Sequence, residues 1–173
     1  MELDKAKAIA EELISLLNPA CNRIVIAGSI RRQKPDVGDI ELLVIPRANY
    51  LDKMLNDLMV QNILAMRLNK RGSRTYGPKN KLMVHCPTGM AVDIFTATSE
   101  NWGMALFVRT GPKEWNIKAM SRFRQLGMQG HAYGGVTLPN GITFACPTEV
   151  IVFNLLGWPY TPPEKRAAQC VIL

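Results

Sequence analysis

No apolar run in this chain approaches the roughly 20 residues that a bilayer span requires. The N-terminal stretch MELDKAKAIAEELISLL is charged throughout and carries no small-residue cleavage site, so it is read as neither a signal peptide nor an anchor. A soluble, intracellular protein is expected, with no membrane partner. Cysteine is sparse, and Cys21, Cys86, Cys146 and Cys170 form no C-x-x-C pair. Without that spacing or a His cluster, neither a zinc site nor a disulfide framework is indicated, and buried free thiols are the reading. Acidic residues are missing altogether between Leu58 and Val92, where Arg67, Lys70, Arg71, Arg74, Lys79 and Lys81 stand unopposed. With 21 Lys and Arg against 14 Asp and Glu the chain carries a net charge of +7, and this segment supplies most of it. A surface that meets phosphates has this charge distribution, as does a merely solvated basic face.

What is present suits one compact domain of two subdomains: 173 residues, 47% of them hydrophobic, enough apolar surface to offset chain entropy. Apolar residues recur at helical spacing from Leu3 to Leu17, and Asn18-Pro19 stops that helix. Arg23 to Ala27 reads as a short strand, after which Gly28-Ser29 turns the chain into a short helix carrying Ile30-Arg31-Arg32. Asp39 to Ile45 reads as a second strand, and Asn49 to about Asn62 as a helix. Lys81 to Cys86 and Met90 to Phe95 read as a hairpin about Pro87-Thr88-Gly89. Beyond Ser99 the pattern is helical: Glu100 to Arg109, then Lys113 to Leu126 closed by Gly127. A hairpin around Pro139-Asn140-Gly141 and a last helix from Pro147-Thr148-Glu149 to Gly157 complete the chain. The Met-rich segments (Met54, Met59, Met66; Met120, Met128) are read as core filler.

The carboxylates carry the chemistry. Asp39 and Glu41 lie two residues apart on a strand, so both project from one face a few ångströms apart. Like charges that close disfavour one another unless a cation intervenes, and carboxylate oxygens suit magnesium. Asp93, set in the apolar run Val92 to Phe95, completes a trio if its strand lies beside the first. Three such carboxylates hold two divalent ions, Asp93 serving the metal next to the nucleophile and Asp39 and Glu41 bridging both. The competing reading is carboxylates at strand edges paired with arginines. Upstream, Gly28 permits close approach of backbone to a phosphate, and Ser29 with an Arg guanidinium can clamp its oxygens. His85 and His131 are read as core or surface residues, Trp102 and Trp158 as packed. Trp115 is open between packing and base stacking.

Gly28 to Glu41, GSIRRQKPDVGDIE, resembles the nucleotidyltransferase signature of the family X DNA polymerases, Gly-Ser-x-Arg-Arg followed at this interval by Gly-Asp-x-Asp. The resemblance continues through Val92-Asp93-Ile94, Arg109-Thr110-Gly111 and Trp115-Asn116. It ends in Trp158-Pro159-Tyr160-x-x-Pro163-Glu164-Lys165-Arg166, and so covers about residues 23 to 166. It implies an α+β fold: a nucleotidyltransferase palm of mixed β-sheet with helices on one side over residues 1–105. A small, mainly helical subdomain with a β-hairpin, binding nucleotide and DNA, would occupy 106–173, as in the minimal viral members. It implies Asp39, Glu41 and Asp93 as metal ligands for two Mg2+ ions, with Mn2+ as substitute. Gly28, Ser29, Arg32 and Gly38 would hold the triphosphate, Thr110 and Gly111 would shape the sugar pocket, and Asn116 would reach the minor-groove edge of the incoming nucleotide. The implied activity is template-directed addition of dNTPs to a primer 3′-hydroxyl at short gaps in DNA repair, by a monomer acting on gapped or primer–template DNA. Arg67, Lys70, Arg71, Arg74, Lys79 and Lys81 would then grip duplex phosphates without sequence preference. About 20 residues precede the palm-like part, so the family's lyase domain is not expected. Three positions depart from the pattern: Glu41 replaces an Asp, Val108-Arg109 an aromatic pair, and Met120 an arginine that contacts template in the type member. A template-independent or non-DNA nucleotidyltransferase is the near alternative, and an inactive DNA-binding module the distant one.

Overall fold

Periodic apolar spacing sets the first helix, α1 (Leu3–Leu17), which buries Ala6, Ala10, Leu13 and Leu17 along one stripe. Pro19 lies in a 3-10 turn over Asn18–Ala20 that ends it. The chain then runs through β1 (Cys21–Ile26), the short α2 (Gly28–Arg31), β2 (Asp39–Pro46), α3 (Tyr50–Val60), β3 (Leu64–Met66), β4 (Asn80–His85) and β5 (Met90–Thr96). These strands form one sheet in the order β1-β2-β5-β4-β3. Only the β2–β5 pair is parallel; the other three are antiparallel, giving a mixed sheet. The computed structural model describes residues 1–170.

One face of this sheet is hydrophobic because alternate residues project the same way. Ile40, Leu42, Val44, Met83, Val92 and Ile94 are wholly buried and form one core with residues of α1 and α3. The two long helices therefore pack on the face that Asp39, Glu41 and Asp93, at the alternate positions, do not occupy. The pairing of β3 escapes sequence periodicity because three residues are too few to show an alternation.

The chain divides into two compact units, Met1–Ile30 with Lys34–Thr96, and Arg31–Gln33 with the chain from Ala97 onward. In the second, α4 (Trp102–Thr110) is buried almost all round, since every residue from Trp102 to Phe107 is covered. It is followed by α5 (Lys113–Gln125), a sheet of β6 (Gln129–His131), β7 (Gly135–Thr137) and β8 (Thr143–Phe144), and α6 (Glu149–Leu156). The expected hairpin is β7–β8, to which β6 adds a third strand. Gly157 ends α6 in the left-handed conformation, φ +68°. Phe107, Trp115, Phe123 and Phe153 build the second core, with Phe107 and Phe153 meeting edge to face at 5.3 Å between centroids. Gly103 is needed where α4 meets α6, because a methyl group there would fall 2.0 Å from the Thr148 carbonyl carbon.

Two sequence expectations are corrected here, and one left open is decided. Cys86 is exposed, sitting at the start of the β4–β5 turn, whereas Cys21 and Cys146 are buried as expected; the Cys170 side chain lies outside the described residues. Met66 is 38% exposed at the end of β3 and fills no core. Trp115 is only 2% exposed and packs against Phe107, Phe153 and Trp158, so it does not stack on a base.

Candidate active site

The parallel register of β2 and β5 brings the first unit's carboxylates together. Glu41 stands directly opposite Asp93, and Asp39, two residues earlier on β2, stands opposite Ala91. By the two-residue period all three belong to one face, on two interior strands of the sheet. The strand-edge part of the competing reading is therefore not what the topology shows. Its other part is: Asp93 is ion-paired to Arg67. Arg67 reaches it because its N–H donates to Leu82 O at 3.1 Å, and Leu82 is the β4 neighbour of Asp93.

β1 ends beside this patch. Ala27 N–H donates to Glu41 O at 2.8 Å, and the chain then turns at Gly28 with φ +59°. A methyl group on Gly28 would lie 1.8 Å from Glu41 Oε2, so the carboxylate of Glu41 rests on bare backbone. Ser29 is buried, and its Oγ has no hydrogen-bond partner, which leaves a hydroxyl in place for a phosphate oxygen. Gly38 is exposed and has nothing within 4 Å of an added methyl group. No steric demand fixes glycine there.

Among the described residues no three Asp, Glu, His or Cys side chains close into a cluster that would hold a metal ion as they stand. The donor set nonetheless fits a hard divalent cation: three carboxylates, all oxygen, on one sheet face. The guanidinium of Arg67 stands in for such a charge at Asp93. Asp39, Glu41 and Asp93 are the residues that could hold such a cation.

In the second unit the two arginines that follow Ile30 both reach Thr110, the last residue of α4. Arg31 Nη1 donates to Thr110 Oγ1 and Arg32 Nη1 to Thr110 O. Thr110 is fully buried, so its hydroxyl serves the protein and shapes the adjoining surface from behind. Gly111 follows with φ +61°, and a methyl group on it would come within 3.4 Å of Arg32 Nη1 and 3.9 Å of Asn116 Nδ2. Asn116 Nδ2 donates to Val108 O at 2.8 Å, and its Oδ1 is buried without a partner. Arg109 donates to the hydroxyl of Tyr133 and lies over its ring at 5.2 Å. Met120 packs against the second core.

Behind Thr110 lies a charge network that sequence reasoning missed. Arg31 meets both oxygens of Glu149, at 3.0 and 2.6 Å, and Arg166 Nη2 donates to Glu149 Oε1 at 2.9 Å. Arg166 is fully buried, with the Phe107 and Phe153 rings 5.4 and 5.3 Å from its guanidinium. Burial pulls the Arg166 pKa down from its usual value, and Glu149 opposes that shift. Arg31 and Arg166 both fall inside the quoted motifs, but nothing local to the sequence pairs either with a residue at the head of α6.

The basic segment divides on inspection. Lys70, Arg71, Arg74 and Lys79 are exposed. Lys81 is a correction: it is 3% exposed, donates to Gly77 O at 2.8 Å, pairs with Asp52 at 3.1 Å and lies over the Tyr76 ring. Its β-strand position turns it to the helix-covered face, with Met83 and His85, so it does not reach duplex phosphates. Arg67, committed to Asp93, likewise stands apart from the exposed four. His85 is buried with Nδ1 at 2.8 Å from Thr88 Oγ1, and His131 Nε2 is 3.0 Å from Thr137 Oγ1; each has a structural partner.

The family model described as DNA polymerase beta thumb matches residues 105–167. Repair DNA polymerase X of African swine fever virus (strain Badajoz 1971 Vero-adapted) is 27% identical over 157 residues, 90% of this chain and 86% of that protein. The same protein from the Pig/Kenya isolate is 26% identical over the same lengths. DNA polymerase lambda of Rattus norvegicus is 26% identical over 82% of this chain, which is 28% of the relative's length. A mixed sheet with a helical part after it, a thumb-model match over residues 105–167 and relatives matched along most of the sequence make this chain similar to the family X DNA polymerases.

Proposed function

We propose that this chain is a DNA-directed DNA polymerase acting in repair, and more finely that it adds dNTPs, template-directed, to a primer 3′-hydroxyl at short gaps. The observation that carries the reading is the placing of Asp39, Glu41 and Asp93 on one face of β2 and β5, beside the Gly28-Ser29 turn with its unpartnered Ser29 Oγ. Divalent cations held there would supply a more acidic 3′-hydroxyl and charge neutralisation on the reacting α-phosphate and the departing pyrophosphate.

The chain's own groups supply the rest. Asp39, Glu41 and Asp93 would hold the cations, Asp93 from β5 and the other two from β2. Ser29 Oγ donates to a phosphate oxygen, and Gly28 lets the backbone approach it. Arg32 and the Thr110-Gly111 turn bound the sugar and phosphate positions, and Asn116 Oδ1 accepts from the nucleotide edge. Lys70, Arg71, Arg74 and Lys79 bind duplex phosphates without sequence preference, in keeping with a net charge of +7. The proposed working form is a monomer.

The test is primer extension on a one-nucleotide-gapped duplex with magnesium, each dNTP offered singly over four template bases. Extension only by the complementary nucleotide is expected, with Asp39→Ala at least about 100-fold slower. Extension by any nucleotide would replace the proposal with template-independent transfer. Tight DNA binding without extension would replace it with a binding role.

A further inference from the structure

We propose that Glu149 is a positioning residue for nucleotide binding: it aims the Arg31 guanidinium at Thr110 and thereby fixes the Gly111 turn. This inference rests on the reading that Thr110 and Gly111 line the nucleotide site.

The geometry is specific. One nitrogen of Arg31, Nη1, is shared between Thr110 Oγ1 and Glu149 Oε1, while Nη2 meets Glu149 Oε2 at 2.6 Å. A planar guanidinium held at two points on a carboxylate has no remaining freedom to rotate. The direction in which Arg31 offers its hydrogen to Thr110 is therefore set by Glu149. Arg166 in turn fixes Glu149: Nη2 donates to Oε1, and Nε donates to Thr161 O at 3.1 Å. At its base the assembly is rigid, because the start of α6 is pressed against α4 at Gly103.

Stability alone does not account for such a network. Burying one guanidinium group and a carboxylate, and half-burying a second guanidinium, carries a desolvation cost that the mutual attraction often fails to exceed, and apolar replacements of similar volume are commonly as stable. What apolar side chains cannot do is fix the rotation of one hydroxyl. The Thr110 hydroxyl is bonded from Arg31 and its carbonyl from Arg32, so both polar groups of the residue before Gly111 are held. Gly111 itself is tied by N–H to Phe107 O at 3.2 Å. If Arg31 swings away, Thr110 loses a partner and the turn gains freedom.

Two full-length variants and two readouts test this. Glu149→Gln keeps the size and one acceptor oxygen but loses the charge; Arg31→Lys keeps the charge but loses the planar fork. In amide hydrogen exchange each variant is expected to lose protection at Gly111 about tenfold or more, while α6 remains protected. In gap filling each is expected to raise KM for the complementary dNTP about tenfold, with kcat changed less than threefold and gapped-duplex affinity unchanged. The double variant should be no worse than either single one, since both break the same link. Unchanged exchange at Gly111, or a lowered melting temperature with unchanged KM, would overturn the proposal and leave Glu149 a structural residue. A wild-type chain that performs no templated extension would overturn the nucleotide-site reading instead, and the exchange data would still decide whether Glu149 fixes the turn.

Discussion

Glu41 is where a single methylene matters. Its longer arm carries the carboxylate onto the backbone of Gly28, where an added methyl group would sit 1.8 Å from Oε2. The family pattern has Asp at this position and Gly upstream; in this chain the two residues are coupled by contact. Gly28 is also in the left-handed region, φ +59°, which costs an L side chain on the order of 1–2 kcal/mol. Gly28→Ala should therefore lower stability by at least about 1 kcal/mol in urea melts and abolish extension, by strain and by displacing the Glu41 carboxylate. Glu41→Asp, which shortens the arm and leaves Gly28 uncovered, should keep measurable extension. Glu41→Gln, which keeps the length and loses the charge, should fall at least about 100-fold. Equal activity of the Gln and Asp variants would show that Glu41 holds no cation.

At the scale of the element, the segment from β3 to β4 shows how a run of like charges is sorted by folding. Asn69 Oδ1 accepts from the N–H groups of Arg71 and Ser73, and Gly72 takes φ +75°. The result is an ordered turn that holds Lys70 and Arg71 outward. Neutralising Arg71, Arg74 and Lys79 together should weaken duplex binding and flatten its log–log salt dependence by up to about 2.7, at roughly 0.9 per lost phosphate contact. Lys81→Met should leave that slope unchanged and alter thermal stability instead, since its ammonium is spent on Asp52 and Gly77. An equal loss of slope in both variants would mean that duplex binding draws on net charge rather than on this surface.

For the whole molecule, each unit carries its own core and its own buried thiol. Burial pushes the pKa values of Cys21 in the first and Cys146 in the second up to about 11. Both prefer the neutral form when folded, and an unfolded thiol ionises near pH 8.5. The unfolded state therefore binds fewer protons in that window, and stability falls as pH rises. Urea melts should show this contribution constant below about pH 8.5 and lost progressively between about pH 9 and 11. Cys21→Ala with Cys146→Ala should flatten that fall; an unchanged alkaline profile would assign it to other groups. Among the described residues no helix is long and apolar enough to cross a membrane.

What the sequence by itself determined is what local periodicity and spacing encode. The helix at Leu3–Leu17 appears with the bounds that apolar spacing gives, because a 3.6-residue stripe has one way to bury itself. Asp39 and Glu41 share a face because period two forces them to. β3 and β6 were not legible, being three residues each and held by pairing rather than pattern. Only the tertiary structure decided the rest. The strand order sets Glu41 opposite Asp93, 52 positions away in sequence, and the helix-covered face of β4 buries Lys81 while Lys79, just before the strand, stays exposed. Arg31, Glu149 and Arg166 are distant in sequence, the first two 118 positions apart, and no single segment records their meeting. Long-range partners are selected by which surfaces the packed elements leave facing each other, and that choice does not exist until the chain has folded.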